Sequence, residues 1–418
     1  MPQSQRTPVD QGLRRRHIYR RRRITVLGGL ALALGVLVYL PMTLLAPLSS
    51  TAAVVPEHVE PPGAAAALSF PGYGASAIGA LDFPGVLAAS GSADPLPMAS
   101  ITKIVTALTV LEAHPLTVDE AGPSVTMTAA DVGYHDAYLK QNGKVAPVHA
   151  GEVYTQRELL DLTLIESANN YATTLAVWAF GSQDAFLAAA RTWVAAHTLP
   201  TLTIVDSTGL SPENVSTASD LIELGRLALA DPVVSQIVGT TSIDLHDVGL
   251  VENSNELLGT AGVTGIKTGT LDTFGANLLF SAVQTIGASQ VTVVGVVLGG
   301  TDHDTLDAAI TALLGTVQAG FHELDVSDIG DVYGSYTTPW DQKVDAVAGS
   351  EATLLVWGET AVTTAVSTDE VRLAADGADI GSVTFTAGEH TVTVPLVLSG
   401  AITDPGPGWR LTHPGELF

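Results

Sequence analysis

Ser100 and Lys103, three residues apart, are the pair of side chains in this sequence best suited to chemistry. The segment that begins at Lys103, KIVTALTVLEA, is apolar on nearly every face, so it predicts a buried helix over 103–113. Side chains three positions apart share a helix face, so the Lys103 amine would reach the Ser100 hydroxyl. A lysine on a buried helix loses hydration, which lowers its pKa and makes it a usable base near neutral pH.

A second motif, Ser167-Ala-Asn169, follows a helix that the capping box Thr155-Gln-Arg-Glu158 opens. Ser167 offers a hydroxyl that can relay protons, and Asn169 offers an amide that can orient a substrate carbonyl. Alone, this tripeptide is more typical of a polar junction between helices.

A third motif, Lys267-Thr-Gly-Thr270, comes just before alternating segments that predict a β-hairpin over 276–298. On an edge strand, Lys267 would supply a positive charge, and the hydroxyls of Thr268 and Thr270 would bind a substrate carboxylate. Gly269 would let the backbone approach closely. Alone, Lys-Thr-Gly also fits an ordinary glycine turn.

The three motifs occur once each and in this order, with 64 residues from Lys103 to Ser167 and 98 from Asn169 to Lys267. The combination is the signature of penicillin-binding proteins and β-lactamases. The surrounding segments PMASITK, YTQRELL, DSTGLSPENVSTASDL and NSNELL resemble the low-molecular-mass penicillin-binding proteins that act as serine-type D-Ala-D-Ala carboxypeptidases. The resemblance covers roughly residues 73–297.

This resemblance implies a reaction on peptidoglycan stem peptides. Ser100 would attack the carbonyl between the two terminal D-alanines and form an acyl-enzyme, while Lys103 takes its proton. Ser167 would pass a proton to the departing D-alanine, and Asn169 would hold the acyl chain. Water would then release the shortened peptide. β-Lactam antibiotics would be covalent inhibitors, and no cofactor or metal is implied.

The resemblance also implies how substrate is held. Lys267, Thr268 and Thr270 would bind the terminal carboxylate, beside Gly269. The backbone N–H groups of Ser100 and Thr270 would form the oxyanion hole. Other readings on the same residues are a β-lactamase and a DD-endopeptidase, and an inactive cell-wall-binding scaffold is the alternative outside enzymes.

The N-terminus predicts a membrane anchor. Residues 1–23 are a basic tail, and residues 24–46 contain a long apolar stretch without charge. A helix needs about 20 apolar residues to cross the bilayer, and arginines on one flank predict a cytoplasmic N-terminus with the rest outside the cell. A cleaved secretory signal is the alternative, but its apolar region is usually shorter, about 7–15 residues.

The remaining chain divides by composition. Residues 47–68, rich in Ala and Pro, predict a semi-extended linker. Residues 69–325 mix helix and strand patterns and predict an α+β catalytic domain, which by the resemblance has an antiparallel five-stranded sheet with helices and a helical lobe. Residues 326–418 contain strand patterns without a convincing helix and predict a small all-β domain.

Composition excludes several functions. The formal charge is −25, from 18 basic and 43 acidic residues, and eight of the basic residues fall in the first 23 positions. The acidic body would repel a phosphate backbone, so nucleic acid is excluded as a partner. The absence of cysteine excludes disulfides, thiolate metal sites and cysteine nucleophiles. His322-Glu323 lacks the partner histidine of a zinc motif, so no metal site is expected.

Overall fold

The computed structural model describes residues 8–58, 64–245 and 248–418, with side chains from residue 17 onward. Parts of three predicted segments lie outside the described residues: 1–7 of the basic tail, 59–63 of the linker, and 246–247 of the predicted catalytic domain. Two compact units form, and both are discontinuous in sequence. The larger unit comprises Pro62–Glu323 and Leu355–Thr360, and the smaller unit comprises Met1–Pro61, Leu324–Leu354 and Ala361–Phe418. The predicted domains, by contrast, are continuous stretches.

The first element of the described residues is helix α1, Pro8–Leu44. From His17 to Leu44 it is long and apolar enough to cross a membrane, and its side chains there are largely exposed. At 1.5 Å per residue, these residues extend about 42 Å, which exceeds the hydrocarbon thickness of a bilayer.

A five-stranded antiparallel sheet with the order β2-β1-β11-β10-β9 forms the centre of the larger unit. Successive side chains of a strand point to opposite faces, and in β11 both faces are buried. Val294 and Val296 pack with one group of helices, while Val293 and Val297 pack on the other face, against a single helix. The strands are β1 Ala75–Ala80, β2 Phe83–Gly91, β9 Val263–Leu271, β10 Gly275–Ile286 and β11 Ser289–Gly300.

The predicted hairpin is confirmed, since β10 and β11 pair across a turn at Gly287, where φ is +55°. This left-handed conformation favours glycine. Strand β9 pairs with β10 and lies at the edge of this sheet, where the sequence placed Lys267.

Helix α2, Thr102–Ala113, lies at the centre of the larger unit, and its residues from Thr102 to Leu111 are all buried. The predicted buried helix is thus confirmed. The other helices of the face it shares are α3 Ala129–Lys140, α4 Gln156–Leu164, α5 Asn169–Phe180, α6 Gln183–Ala196, α7 Ala218–Ala230 and α8 Pro232–Val238. Helix α9, His303–Val317, covers the opposite face of the sheet.

Helix α4 begins where the sequence predicts. The Thr155 side chain accepts a hydrogen bond from the Glu158 N–H, and the Glu158 carboxylate accepts one from the Thr155 N–H, which together form the capping box. Short two-stranded sheets complete the larger unit: β3 Leu96–Pro97 with β6 Val215–Ser216, β4 Ser124–Thr126 with β5 Val153–Thr155, and β7 Ser242–Leu245 with β8 Gly249–Glu252.

The smaller unit contains a second five-stranded antiparallel sheet, in the order β13-β14-β18-β17-β16. Its strands are β13 Val332–Thr337, β14 Lys343–Ala348, β16 Thr363–Thr368, β17 Asp379–Ala387 and β18 His390–Leu398. Two further strands, β12 Phe321–Ser327 and β15 Ala352–Trp357, pair with each other.

Two features of the smaller unit differ from the prediction. A helix does form beyond residue 326: α10, Gly406–Thr412, is stabilised because Asp404 accepts from the Gly406 N–H and pairs with Arg410 at 2.6 Å. A helix of seven residues is too short for its periodicity to be read. The predicted linker is also not free, because Thr51 and Val54 form antiparallel bridges with Val371 and Ser335.

Candidate active site

Ser100 and Lys103 meet as predicted. Ser100 lies in a 3₁₀ turn, Ala99–Ile101, immediately before α2, and Lys103 lies in the first turn of α2. Lys103 Nζ is 2.8 Å from Ser100 Oγ. The turn requires a left-handed backbone at Ala99, where φ is +50°. This residue is packed closely, because a Cβ atom at Gly209 would lie 1.9 Å from the Ala99 carbonyl oxygen.

The Lys103 amine is completely enclosed. It donates to Asn169 Oδ1 at 2.6 Å and to the Thr208 carbonyl at 2.8 Å, in addition to its contact with Ser100. Burial, together with the positive charge of nearby Lys267, holds the pKa of Lys103 well below its ordinary value, although Asp206 opposes this effect. Burial therefore shifts the protonation equilibrium of Lys103 toward the neutral amine.

Lys267 is the second buried lysine of the site. It lies on β9 and is 1% exposed. Burial lowers its pKa to about 7, and the charge of Lys144 acts in the same direction. Among the residues that the structure describes, its Nζ makes only long contacts, 3.4 Å to Thr268 Oγ1 and 3.5 Å to Ser254 Oγ. An ammonium so weakly satisfied is suited to binding an anion.

Gly269 brings β9 against the Ser100 turn. A Cβ atom at this position would lie 2.9 Å from both Ala99 Cβ and the Met98 carbonyl oxygen, and 3.2 Å from the Ser100 nitrogen. Only glycine permits this approach without displacement. Asn277, on the neighbouring strand, supports it by donating to the Pro97 carbonyl at 3.1 Å and accepting from the Gly299 N–H at 2.9 Å.

The Ser-Ala-Asn motif lies at the junction of α4 and α5. Ser167 adopts a φ of +64° and is 5% exposed. Asn169 is the first residue of α5, and its N–H donates to the Lys144 carbonyl at 2.8 Å. A Cβ atom at Gly143 would approach Asn169 Nδ2 to 2.6 Å. The Asn169 amide is therefore held both by Lys103 and by the loop at 143–144.

A cavity of about 480 Å³ joins the three motifs. Lys103 and Lys267 lie beneath its surface. The other predicted residues line it: Ser100, Ser167, Asn169, Thr268, Gly269 and Thr270. The sequence interpretation did not identify several further lining residues, namely Asn142, Lys144, Ser254, Glu256, Asp272 and His303. Of these, only Ser254 and Glu256 fall inside a segment that carried the resemblance, NSNELL.

Charged and polar side chains surround this cavity. Thr270 Oγ1 is 2.8 Å from His303 Nε2, at the first residue of α9. Lys144 pairs with Glu166 at 3.6 Å, and Asn142 donates to Asp272 at 3.3 Å. None of these contacts is local, so motif spacing does not reveal them. Within residues 17–58, 64–245 and 248–418, no group of three His, Asp or Glu side chains could hold a metal ion.

Asp206 stabilises the turn that follows it. Its carboxylate accepts from the N–H groups of Thr208 and Gly209, both at 2.7 Å, and of Ser211 at 2.9 Å. Burial alone would raise the pKa of Asp206, but these hydrogen bonds lower it. The turn presents the Thr208 carbonyl to Lys103.

The fold is that of penicillin-binding proteins. The peptidoglycan synthesis regulatory factor PBP3 of Streptococcus pneumoniae, a solved structure, matches with a TM-score of 0.56 and 22% identity, over 80% of this chain and 100% of that one. At this identity the match establishes the architecture.

The sequence establishes the family. The family model described as peptidase S11, D-alanyl-D-alanine carboxypeptidase, matches residues 82–302. The chain therefore belongs to this family, as its motifs predicted.

Two curated relatives carry different names. A D-alanyl-D-alanine carboxypeptidase, DacB2 of Mycobacterium tuberculosis, is 35% identical over 41% of this chain and 57% of its own length. A D-alanyl-D-alanine endopeptidase of Pseudomonas aeruginosa is 33% identical over 34% of this chain and 42% of its own length. The matched region thus spans about half the length of these relatives.

Proposed function

We propose that the protein is a membrane-anchored, extracytoplasmic serine D-Ala-D-Ala carboxypeptidase that removes the terminal D-alanine from peptidoglycan stem peptides. The observation that carries the proposal is the contact of 2.8 Å between Lys103 Nζ and Ser100 Oγ, with a pKa of Lys103 lowered by burial. A nucleophilic hydroxyl needs a base within hydrogen-bond reach, and this contact meets that requirement.

The surroundings of Lys103 orient its lone pair. Asn169 Oδ1 and the Thr208 carbonyl can only accept hydrogen bonds, so they take the two N–H groups of a neutral amine. The lone pair is then left for the hydroxyl hydrogen of Ser100. Lys103 accepts this proton as Ser100 Oγ bonds to the carbonyl carbon of the penultimate D-alanine.

Acylation ends when the C–N bond to the terminal D-alanine breaks. The departing amine must gain a proton. Ser167, in the same cavity, passes its hydroxyl proton to this amine and receives in return the proton that Lys103 took from Ser100, so Lys103 is neutral again. The N–H groups of Ser100 and Thr270 stabilise the negative charge on the carbonyl oxygen. Water then attacks the acyl-enzyme, with Lys103 as base, and Ser100 regains its hydrogen.

The terminal carboxylate of the substrate binds at β9. Lys267 supplies the charge, and Thr268 and Thr270 supply hydroxyl donors along the same strand. A bound carboxylate would raise the pKa of Lys267 above its value of about 7, since an adjacent anion favours the ammonium. β-Lactams, which carry a comparable carboxylate, would acylate Ser100 and remain attached.

Helix α1 would anchor the protein, with the arginines in the cytoplasm and the residues that follow α1 outside. A cleaved signal is the alternative arrangement for the same apolar stretch, and it would give a secreted enzyme. The catalytic proposal is independent of this choice.

A second activity, DD-endopeptidase cleavage of cross-linked stem peptides, is supported by a relative that bears this name. The same residues would carry it out, because the scissile bond again follows a D-alanine. The difference lies in the leaving group, which in a cross-link is part of a second stem peptide.

The test uses the purified full chain and its Ser100→Ala variant. The chain should release D-alanine from a stem pentapeptide, and Ser100→Ala should release none. Exposure to penicillin should add one adduct, detected by intact-protein mass spectrometry, on the peptide that contains Ser100. Release of D-alanine by the variant, or an adduct elsewhere, would reject the proposal. Parallel assays on cross-linked dimers separate endopeptidase from carboxypeptidase activity.

A further inference from the structure

The smaller unit holds the chain immediately after α1. Arg410 Nη1 donates to the Ala46 carbonyl at 2.6 Å, and Arg410 is itself oriented by Asp404. Ser49 Oγ donates to the Glu416 carbonyl at 3.2 Å. The C-terminal end of the chain thus encloses the first residues that follow the helix.

An apolar cluster strengthens this contact. Ala46, Leu48 and Leu417 are buried together, with Trp340 and Trp409 packed against them. The two indole rings meet edge to face, with centroids 5.7 Å apart. Burial of this kind resists separation of the segment from the unit.

The attachment continues along the predicted linker. Thr51 and Val54 form backbone bridges with Val371 and Ser335, and Ser50 Oγ donates to a carboxylate oxygen of Glu370. Residues 46–54 therefore do not act as a flexible tether. They are part of the smaller unit.

The two ends of the sheet in the smaller unit lie at different distances from this attachment. Gln342, just before β14, donates to the Ala401 carbonyl and accepts from the Thr403 N–H. The segment that leads into α10 therefore lies at one end of the sheet. Strand β18 is nine residues long, and the turn that joins it to β17, at Gly388, lies at its other end. At about 3.3 Å per residue, the two ends are about 30 Å apart.

The distance from α1 to α10 is short. Only Leu45 lies between Leu44 and Ala46, so the chain covers at most about 7 Å from one to the other. Tyr39, inside α1, donates from its hydroxyl to the Leu411 carbonyl at 2.7 Å. Helix α10 therefore lies beside the last turns of α1, where a spanning helix leaves the hydrocarbon core.

We propose that the smaller unit is a juxtamembrane module whose α10 end rests among the lipid headgroups of the outer leaflet. Tyr39, Trp340 and Trp409 match the aromatic residues favoured at that depth. Leu45 and Phe418, 81% and 73% exposed, add apolar surface at the same end. The partner is the phospholipid bilayer surface, and this inference depends on the anchoring part of the proposed function but not on its catalysis.

Because the sequence contains no cysteine, a single introduced cysteine can be labelled without background. Two variants of the full chain, Phe418→Cys at the α10 end and Glu389→Cys in the distal turn, receive the same environment-sensitive fluorophore in phosphatidylcholine nanodiscs. A nitroxide on the lipid headgroup should quench the probe at position 418 about threefold more strongly than the probe at 389. Equal quenching at both positions, or recovery of the protein outside the nanodiscs, would overturn the proposal.

A second variant tests the attachment to α1. Arg410→Gln, combined with Phe418→Cys, removes the charged donor to the Ala46 carbonyl and should reduce quenching at 418 toward the value at 389. Unchanged quenching would show that Arg410 does not hold the module at the membrane. Penicillin labelling of the same samples reports on Ser100 separately, so a chemically inactive protein with strong quenching at 418 would reject the catalytic proposal and leave this one standing.

Discussion

Asn169 Oδ1 accepts a hydrogen bond of 2.6 Å from Lys103 Nζ, so a residue of the second motif orients the base of the first. The two residues are 66 positions apart. The contact occurs because the N-terminus of α5 meets the first turn of α2 in the core of the larger unit.

Asn169→Asp should shift the pH dependence of acylation upward. The new carboxylate would lie against Lys103 Nζ and stabilise the ammonium, which raises the pKa of Lys103. The neutral base would then appear only at higher pH, so the acidic limb of the rate of penicillin acylation should move to higher pH. Asn169→Ala is the control, because it removes the hydrogen bond without adding charge. An unshifted limb in Asn169→Asp would show that another group is the base.

Asp206→Asn should move the same limb in the opposite direction. The Asp206 carboxylate raises the pKa of Lys103, so its removal should lower that pKa further. The variant should also be less stable by about 1–3 kcal/mol, since the carboxylate accepts several buried N–H donors. The pKa of Asp206 is lowered on folding, so its contribution to stability is present above the unfolded pKa and declines as pH falls through the folded pKa. Stopped-flow acylation and urea unfolding across pH measure both effects.

Gly269→Ala should slow acylation of Ser100 by about tenfold or more, because the new methyl group would push β9 away from the Ser100 turn. Gly315→Ala in α9 is the matched control, since no atom lies within 4 Å of the position that its methyl group would take. The control should acylate normally and gain about 0.5–1 kcal/mol of stability from a helical Gly-to-Ala change. Equal acylation by the two variants would contradict the role given to Gly269.

Binding of the substrate carboxylate should weaken above pH 7. The pKa of Lys267 is about 7, so its ammonium is present below this pH and is lost above it. KM for a D-Ala-D-Ala peptide should therefore rise between pH 7 and 9, up to about tenfold per pH unit. Lys267→Arg keeps its charge in this range, so its KM should be independent of pH, whatever its absolute value. A KM of the natural protein that is constant from pH 6 to 9 would assign carboxylate binding to other groups.

His303→Ala should raise KM more than it lowers kcat. His303 Nε2 is 2.8 Å from Thr270 Oγ1, and its loss frees the hydroxyl from the orientation it has on β9. An increase in KM of about three- to tenfold corresponds to the loss of one hydrogen bond of about 1 kcal/mol. His303→Gln can retain the contact and should recover most of the affinity. Equal KM values for the natural protein and His303→Ala would show that His303 does not contribute to substrate binding.

Local relationships in this protein are readable from the sequence. Ser100 and Lys103 meet because three positions on a helix bring two side chains to one face. The capping box at Thr155 marks the start of α4, and the left-handed turn at Gly287 joins β10 to β11. In each case the interacting groups are neighbours along the chain, so spacing alone is sufficient to predict the geometry.

The tertiary structure decides which distant residues join them. Position 269 requires glycine because Ala99 packs against it. His303 joins the site because α9 begins beside the end of β9. Likewise, nothing in the composition of residues 46–54 indicates that Arg410 and the second sheet will hold them. Such contacts depend on how buried faces of separate elements pack, and this packing depends on the shape and volume of the whole core rather than on spacing along the chain.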